Sequence, residues 1–292
     1  MTELHDATNT FQRLVRGDAM IGILSWDDEQ AMGDTLRRLA HDGSAEAYRW
    51  LGDCYAANVQ PVGAYGGMAV TGDDDELWAP ITSAIHGMSV EHTHALRAWY
   101  EAARRGDRQA ATKLGQHSRY GNVPTQRLAL ECLQAVDEPS GAELLLCGWI
   151  HLWLGEHEAS LAFVRRAADT GHPPALFELS LMVGQGLGTD ADPEEAAHWQ
   201  QLAAEAGDAR ALYNRAAARA TGRDGAVDLP GAAADYERAA EAGHGKAAAT
   251  LAVMQLQGEV PGDAVAWLDR AEALGFPAGD LLAQLGLVDP RS

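Results

Sequence analysis

The sequence predicts an all-α fold built from repeated helix–turn–helix units, and three observations carry that expectation. One pattern is written three times between Phe163 and Gly258, as RRAADTGHPPALFEL, QLAAEAGDARALYNR and ERAAEAGHGKAAATL. The glycines after the double alanines, Gly171, Gly207 and Gly243, stand 36 residues apart, and a second set, Gly186, Gly222 and Gly258, keeps the same 36-residue spacing. Two glycine lattices with one period mean two turns per repeat, each separated by a segment long enough for one helix. Glycine and alanine are abundant and β-branched residues few, which favours closely packed helices over strands.

Each recurring residue has a physical reason to be where it is. The double alanine ends one helix, and the glycine three residues on is placed to take the left-handed conformation that closes it. Four residues after each glycine comes Ala175, Ala211 or Ala247, where a larger side chain would push neighbouring helices apart. Seven or eight residues before each glycine stands a large aromatic group, Phe163, Trp199 or Tyr236, with Trp99 and Trp267 in the same place in other copies. It is expected to fill the space between repeats.

The AAxxG element followed by alanine at plus four, the upstream aromatic, and the glycine-containing turns VGQGLGTDADPEEA, ATGRDGAVDLPGAA and LQGEVPGDA together resemble the Sel1-like repeat family, a branch of the tetratricopeptide-like helical repeats. That resemblance implies a right-handed α/α superhelical solenoid whose first helices line a concave face. Counting recognisable copies gives about six to seven helix pairs.

From the N-terminus, residues 1–42 form a helical cap and degenerate first repeat, with helices over about Thr2 to Arg16 and Asp27 to His41. Gly43 begins the lattice, with Ala47 and Leu51 following as its core residues, and the array is expected to run over 43–292. The next matching glycine is Gly106, too distant for one repeat, and the excess lies between Val59 and Ser89. This insertion, at about 59–89, carries Tyr65, Met68 and Trp78. It reads either as an arm or lid over the concave face or as a tolerated insertion between two helices of one repeat. Regularity resumes at Gly106, Ala110 and Leu114. One glycine is then missing before Gly171; Asp137 and Glu138 occupy its turn, and Pro139 is expected to open the next helix. Gly275 closes the last full pair, and a short helix caps the end.

Charge narrows the partner classes. The formal net charge is −20, and only Lys113 and Lys246 are lysines. Such a surface repels phosphate backbones and anionic lipid and attracts basic proteins, so neither nucleic acid nor membrane is the expected partner. LLLCGWIHLWLG, from Leu144 to Gly155, is too short to span a bilayer and reads as a buried repeat helix. No basic-then-apolar leader opens the chain. Cys54, Cys132 and Cys147 are odd in number, and the regular pairs that staple some secreted Sel1-like proteins are missing, so a cytoplasmic setting is expected.

No motif points to catalysis, a cofactor or a metal. GQGLG at 184–188 has no preceding strand, and GHGKAAAT lacks the remaining residues of a phosphate loop. HEASL at His157 has Leu161 where a zinc helix needs its second histidine. His86, His92 and His94 near the acidic run 73–76 do not share one helical face.

The better-motivated site is a groove along the first helices. Counting from each lattice glycine, plus four and plus eight point to the core, and plus seven, eleven and fourteen form a neighbouring stripe. It reads Trp50, Cys54, Ala57; Lys113, His117, Tyr120; Glu178, Met182, Gln185; Asn214, Ala218, Thr221; and Thr250, Met254, Gln257. Arg119 lies beside the second row. The groove residues singled out are Trp50, Lys113, His117, Arg119, Tyr120, Glu178 and Asn214, with Tyr65, Met68 and Trp78 as contacts from the insert. The expected function is a non-catalytic scaffold binding a protein or peptide. A regulatory or immunity-type protein neutralising a basic partner, and a small-molecule-binding solenoid with the insert as lid, are the alternatives.

Overall fold

The computed structural model describes residues 2–15, 26–57, 90–223 and 225–291. Among the described residues there are fifteen helices and no strand. None of them is long and apolar enough to cross a membrane. The chain divides into two compact units, residues 1–156 and 157–292.

The first unit contains α1 (Thr2–Val15), α2 (Trp26–His41), α3 (Ala45–Ala56), α4 (Val90–Ala103), α5 (Arg108–Ser118), α6 (Val123–Gln134) and α7 (Gly141–Trp153). The second contains α8 (His157–Asp169), α9 (Pro173–Gln185), α10 (Pro193–Glu205), α11 (Ala209–Thr221), α12 (Leu229–Glu241), α13 (Gly245–Leu256), α14 (Ala264–Ala273) and α15 (Ala278–Leu285). Within each unit, successive helices pack on one another as in an α/α solenoid. α3 packs most extensively on α4, so the insert joins two helices of one pair. Residues 58–89, including Tyr65, Met68 and Trp78, lie outside the described residues.

The turn chemistry explains the lattice. Gly207 has φ +93°, and a β-carbon there would meet nothing within 4 Å, so the requirement for glycine is purely conformational. The residue after Gly43, Gly106, Gly171, Gly207 and Gly243 caps the next helix. Ser44, Asp107, Asp208 and His244 each accept a backbone N–H through the side chain, whereas His172 holds the same position without such a bond. Where the glycine is missing, Glu138 takes its place at φ +47°, alone in this among the described non-glycine residues. Pro139 does not open α7. Ser140 is its cap, in a reciprocal capping box with Glu143, because serine can accept a backbone N–H and proline has no side chain to do so.

The core follows the expected positions. Ala47, Ala110, Ala175, Ala211 and Ala247, all at plus four, are fully buried, as are Leu51, Leu114, Leu179 and Leu251 at plus eight. α3 and α4 approach so closely that a β-carbon on Gly52 would lie 2.4 Å from the Trp99 ring. The upstream aromatics divide into two groups. Trp99 and Tyr236, at minus seven, are buried, whereas Phe163, Trp199 and Trp267, at minus eight, are half-buried. The fourth copy, closed by Gly207, is exceptional, with Arg215 at plus eight and Gln200 at minus seven.

Candidate interaction surface

The predicted stripe is not one continuous exposed row. Plus eleven is core: Cys54, Met182, Ala218 and Met254 are buried, and only His117 is exposed. The reason is helical spacing, since plus eleven lies three residues beyond plus eight and seven beyond plus four, on the same apolar face. Plus seven is half-buried in every copy, as Trp50, Lys113, Glu178, Asn214 and Thr250, and plus fourteen is exposed in every copy. Local partners account for two of the seven groove residues. Trp50 packs edge-on against Phe11 at 5.5 Å with Arg49 over its ring at 4.9 Å, and Glu178 pairs with Arg210 at 2.7 Å.

The second row is the one that assembles. Lys113 on α5 reaches back to Asp53 on α3, a buried carboxylate that also accepts from the Trp99 indole at 3.0 Å. The His117 ring lies 4.6 Å from that indole. Lysine, aspartate, tryptophan and histidine thus tie α3, α4 and α5 together, and the charge of Lys113 is spent on Asp53 rather than offered to a ligand. A turn further on, Arg119 caps α5 with its guanidinium 4.4 Å from the Tyr120 ring and 5.1 Å from that of Trp149 on α7. Tyr120 in turn meets Trp153 edge-to-face at 5.0 Å.

The outer members of this cluster face solvent. Tyr120 is 63% exposed, Trp153 60% and Val123, at the start of α6, 56%. At the C-terminal side of α7, Glu156 pairs with Arg127 and with His151 Nδ1, the latter at 2.6 Å. The hydrogen bond from Arg127, then that with His151, holds the Glu156 carboxyl below its usual range. Cys132 and Cys54 are buried and free; burial pushes the Cys132 thiol up to about 12 and the Cys54 thiol further, so neither is a nucleophile at neutral pH. Exposed Trp and Tyr beside a half-buried Arg is the composition of protein-docking hot spots, offering broad rigid contact area at little entropic cost.

Sequence reasoning placed Lys113, His117, Arg119 and Tyr120 together but missed Asp53, Trp149 and Trp153. The two tryptophans stand four apart in Leu144–Gly155, so their shared helical face was a readable signal.

Comparison with known proteins adds the family. No family model matches the chain, and no curated protein matches it. A crystal structure of a Sel1 repeat protein from Oxalobacter formigenes is 33% identical, over 42% of this chain and 97% of that one, with a TM-score of 0.39. Its whole length is therefore matched by a chain carrying the repeat in register. This chain belongs to the Sel1-like repeat family. A second crystal structure, of a protective antigen present in uropathogenic Escherichia coli strains and displaying an SLR fold, is 21% identical over 97% of this chain and 65% of its own, with a TM-score of 0.46. As a Sel1-like protein the chain is a helical repeat protein, and the cluster around Tyr120 lies at the end of a first helix, α5, and the start of the second helix, α6, that follows it.

Proposed function

We propose that this Sel1-like protein is a non-catalytic interaction module that docks a protein or peptide partner on the first unit, with Tyr120 and Trp153 as anchors, Val123 beside them and Arg119 as the stacked cation. The observation that carries the reading is the exposed edge-to-face pair of Tyr120 and Trp153 at 5.0 Å. Two large aromatic groups in mutual contact, one of them stacked with Arg119, yet left mostly in water, are prepared for a partner at small ordering cost. The net charge of −20 favours a basic partner and makes the encounter salt-dependent, because exposed charges are screened over about 8 Å at physiological ionic strength.

The test is affinity capture from native cells followed by titration of the purified partner against the chain and its Tyr120→Ala/Trp153→Ala variant. A hot-spot residue accounts for about 2 kcal/mol or more, and two in contact do not add, so affinity is expected to fall by at least about thirty-fold with an unchanged helical circular dichroism spectrum. A variant that binds as tightly as the parent refutes the assignment.

A further inference from the structure

The copy closed by Gly207 breaks the pattern of its neighbours at two core positions, both on one cleft. At minus seven the other copies closed by glycine carry Leu36, Trp99, Val164, Tyr236 and Leu268, all buried; this copy carries Gln200. At plus eight they carry Leu51, Leu114, Leu179 and Leu251; this copy carries Arg215. An amide and a guanidinium thus replace two apolar side chains on the packed helices α10 and α11. The space beside them is a cleft of about 100 Å3 lined by Ala197, Gln200, Gln201, Asn214, Arg215 and Arg223.

Its charge is set by an ion-pair cluster. Arg215 Nε and Nη2 donate to the Asp235 carboxylate at 2.8 and 2.7 Å, and Asp235 is 2% exposed. The same carboxylate is reached by Arg219 at 2.9 Å and Arg238 at 3.7 Å, so three guanidiniums share one negative charge. Arg215 Nη1 makes no hydrogen bond among the described residues, and neither do the Gln200 and Asn214 side chains. Gln201, also on the cleft wall, donates its amide N–H to Glu205 at 2.6 Å. Replacing core leucine by an ion pair does not in itself stabilise a fold, so packing alone gives no reason for the polar residues at these two positions.

We propose that this cleft binds a carboxylate group. The remaining donor edge of Arg215 suits a planar two-oxygen acceptor, and the Gln200 and Asn214 amides supply neutral donors on either wall. The overall negative charge of the chain does not forbid this, because distant charges are screened over about 8 Å whereas the arginine cluster is in contact. The carboxylate could be that of a free dicarboxylate or of an acidic peptide segment. The site lies in the second unit and is independent of the Tyr120 surface, so failure of either assignment leaves the other standing.

The test is nitrogen-edited NMR of the full chain, following the Arg215 side-chain Nε–H and the backbone amides of 197–223, which persist in every variant, during titration with succinate, with an acetylated and amidated tetraglutamate peptide, and with inorganic phosphate, all at constant ionic strength. Saturable shifts with succinate or the peptide are expected, weakened about ten-fold or more in Gln200→Leu/Asn214→Ala. Gln200→Leu restores the apolar residue type used in the other copies, so this variant is expected to fold; Asn214→Ala alone provides a second, half-exposed substitution. Tighter binding of the peptide per carboxylate assigns a protein source, and binding of succinate at least as tight assigns a free dicarboxylate. No saturable shift up to about 50 mM of either, phosphate binding as well as succinate, or undiminished affinity in both variants overturns the proposal.

Discussion

Glu143→Gln tests how the missing glycine between Gly106 and Gly171 is compensated. Glu143 is 4% exposed and is held by Arg108 Nε at 2.7 Å, by the Ser140 hydroxyl at 2.7 Å and by the Ser140 backbone N–H at 2.8 Å. Burial disfavours its charge, but the bonds from Arg108 and Ser140 outweigh that cost and hold the carboxyl at about 2, against an ordinary 4.5. At about 1.4 kcal/mol per tenfold in proton affinity this corresponds to about 3 kcal/mol, which solvent screening of the half-exposed Arg108 head reduces to about 2. The folded state favours the ionised form, so this stability is complete above pH 4.5 and is lost as pH falls from there toward 2; near pH 3 less than half remains.

Six of the eight tryptophans, Trp26, Trp50, Trp78, Trp99, Trp149 and Trp153, precede residue 157, so tryptophan fluorescence during urea unfolding reports mainly the first unit. Glu143→Gln is expected to lose about 2 kcal/mol at pH 7, equivalent to about 4–8 °C in Tm, with the gap from the parent at least halved at pH 3. A loss below about 0.5 kcal/mol at pH 7, or a gap unchanged at pH 3, refutes the reasoning.

Two further predictions concern the turns. Glu138→Gly removes a β-carbon from a left-handed residue at φ +47° and is expected to stabilise the first unit by about 1 kcal/mol, read as a rise in Tm; a fall contradicts the assignment of Glu138 as the substitute lattice glycine. His244 caps α13 by accepting the Ala247 N–H through Nδ1 at 3.1 Å, and burial depresses its affinity for a proton below the ordinary 6.5. The unfolded chain therefore takes up the proton first as pH falls below 6.5, and stability drops until the folded-state value is passed. His244→Asn keeps a capping oxygen without the titration, so its Tm should depend less on pH between 7 and 5; an identical slope in both proteins contradicts the cap.

The scaffold was legible because its requirements are local. A helix closed by a left-handed residue asks for glycine, and a close crossing asks for alanine, so Gly207 and Ala211 announce themselves in the sequence. Glu138 could not be read this way, since nothing in a glutamate states a positive φ. The stripe was only partly legible: plus seven is half-buried and plus fourteen exposed, but plus eleven belongs to the core by its distance from plus four and plus eight. The tie from Lys113 and Trp99 to Asp53 was out of reach, because it joins residues 60 and 46 apart across the insert. The tryptophans of α7 were hidden in a run that reads as wholly buried. Gln200 and Arg215 were visible in principle, as places where an apolar lattice position turns polar in a glycine-closed copy.

Hydrogen–deuterium exchange with and without the captured partner tests whether that partner docks on the Tyr120–Trp153 surface. Backbone amides of 119–127 and 149–156 are expected to slow on binding, together, with the remainder of the first unit little changed. Protection confined to other segments, with these two exchanging at the free rate, contradicts the claim.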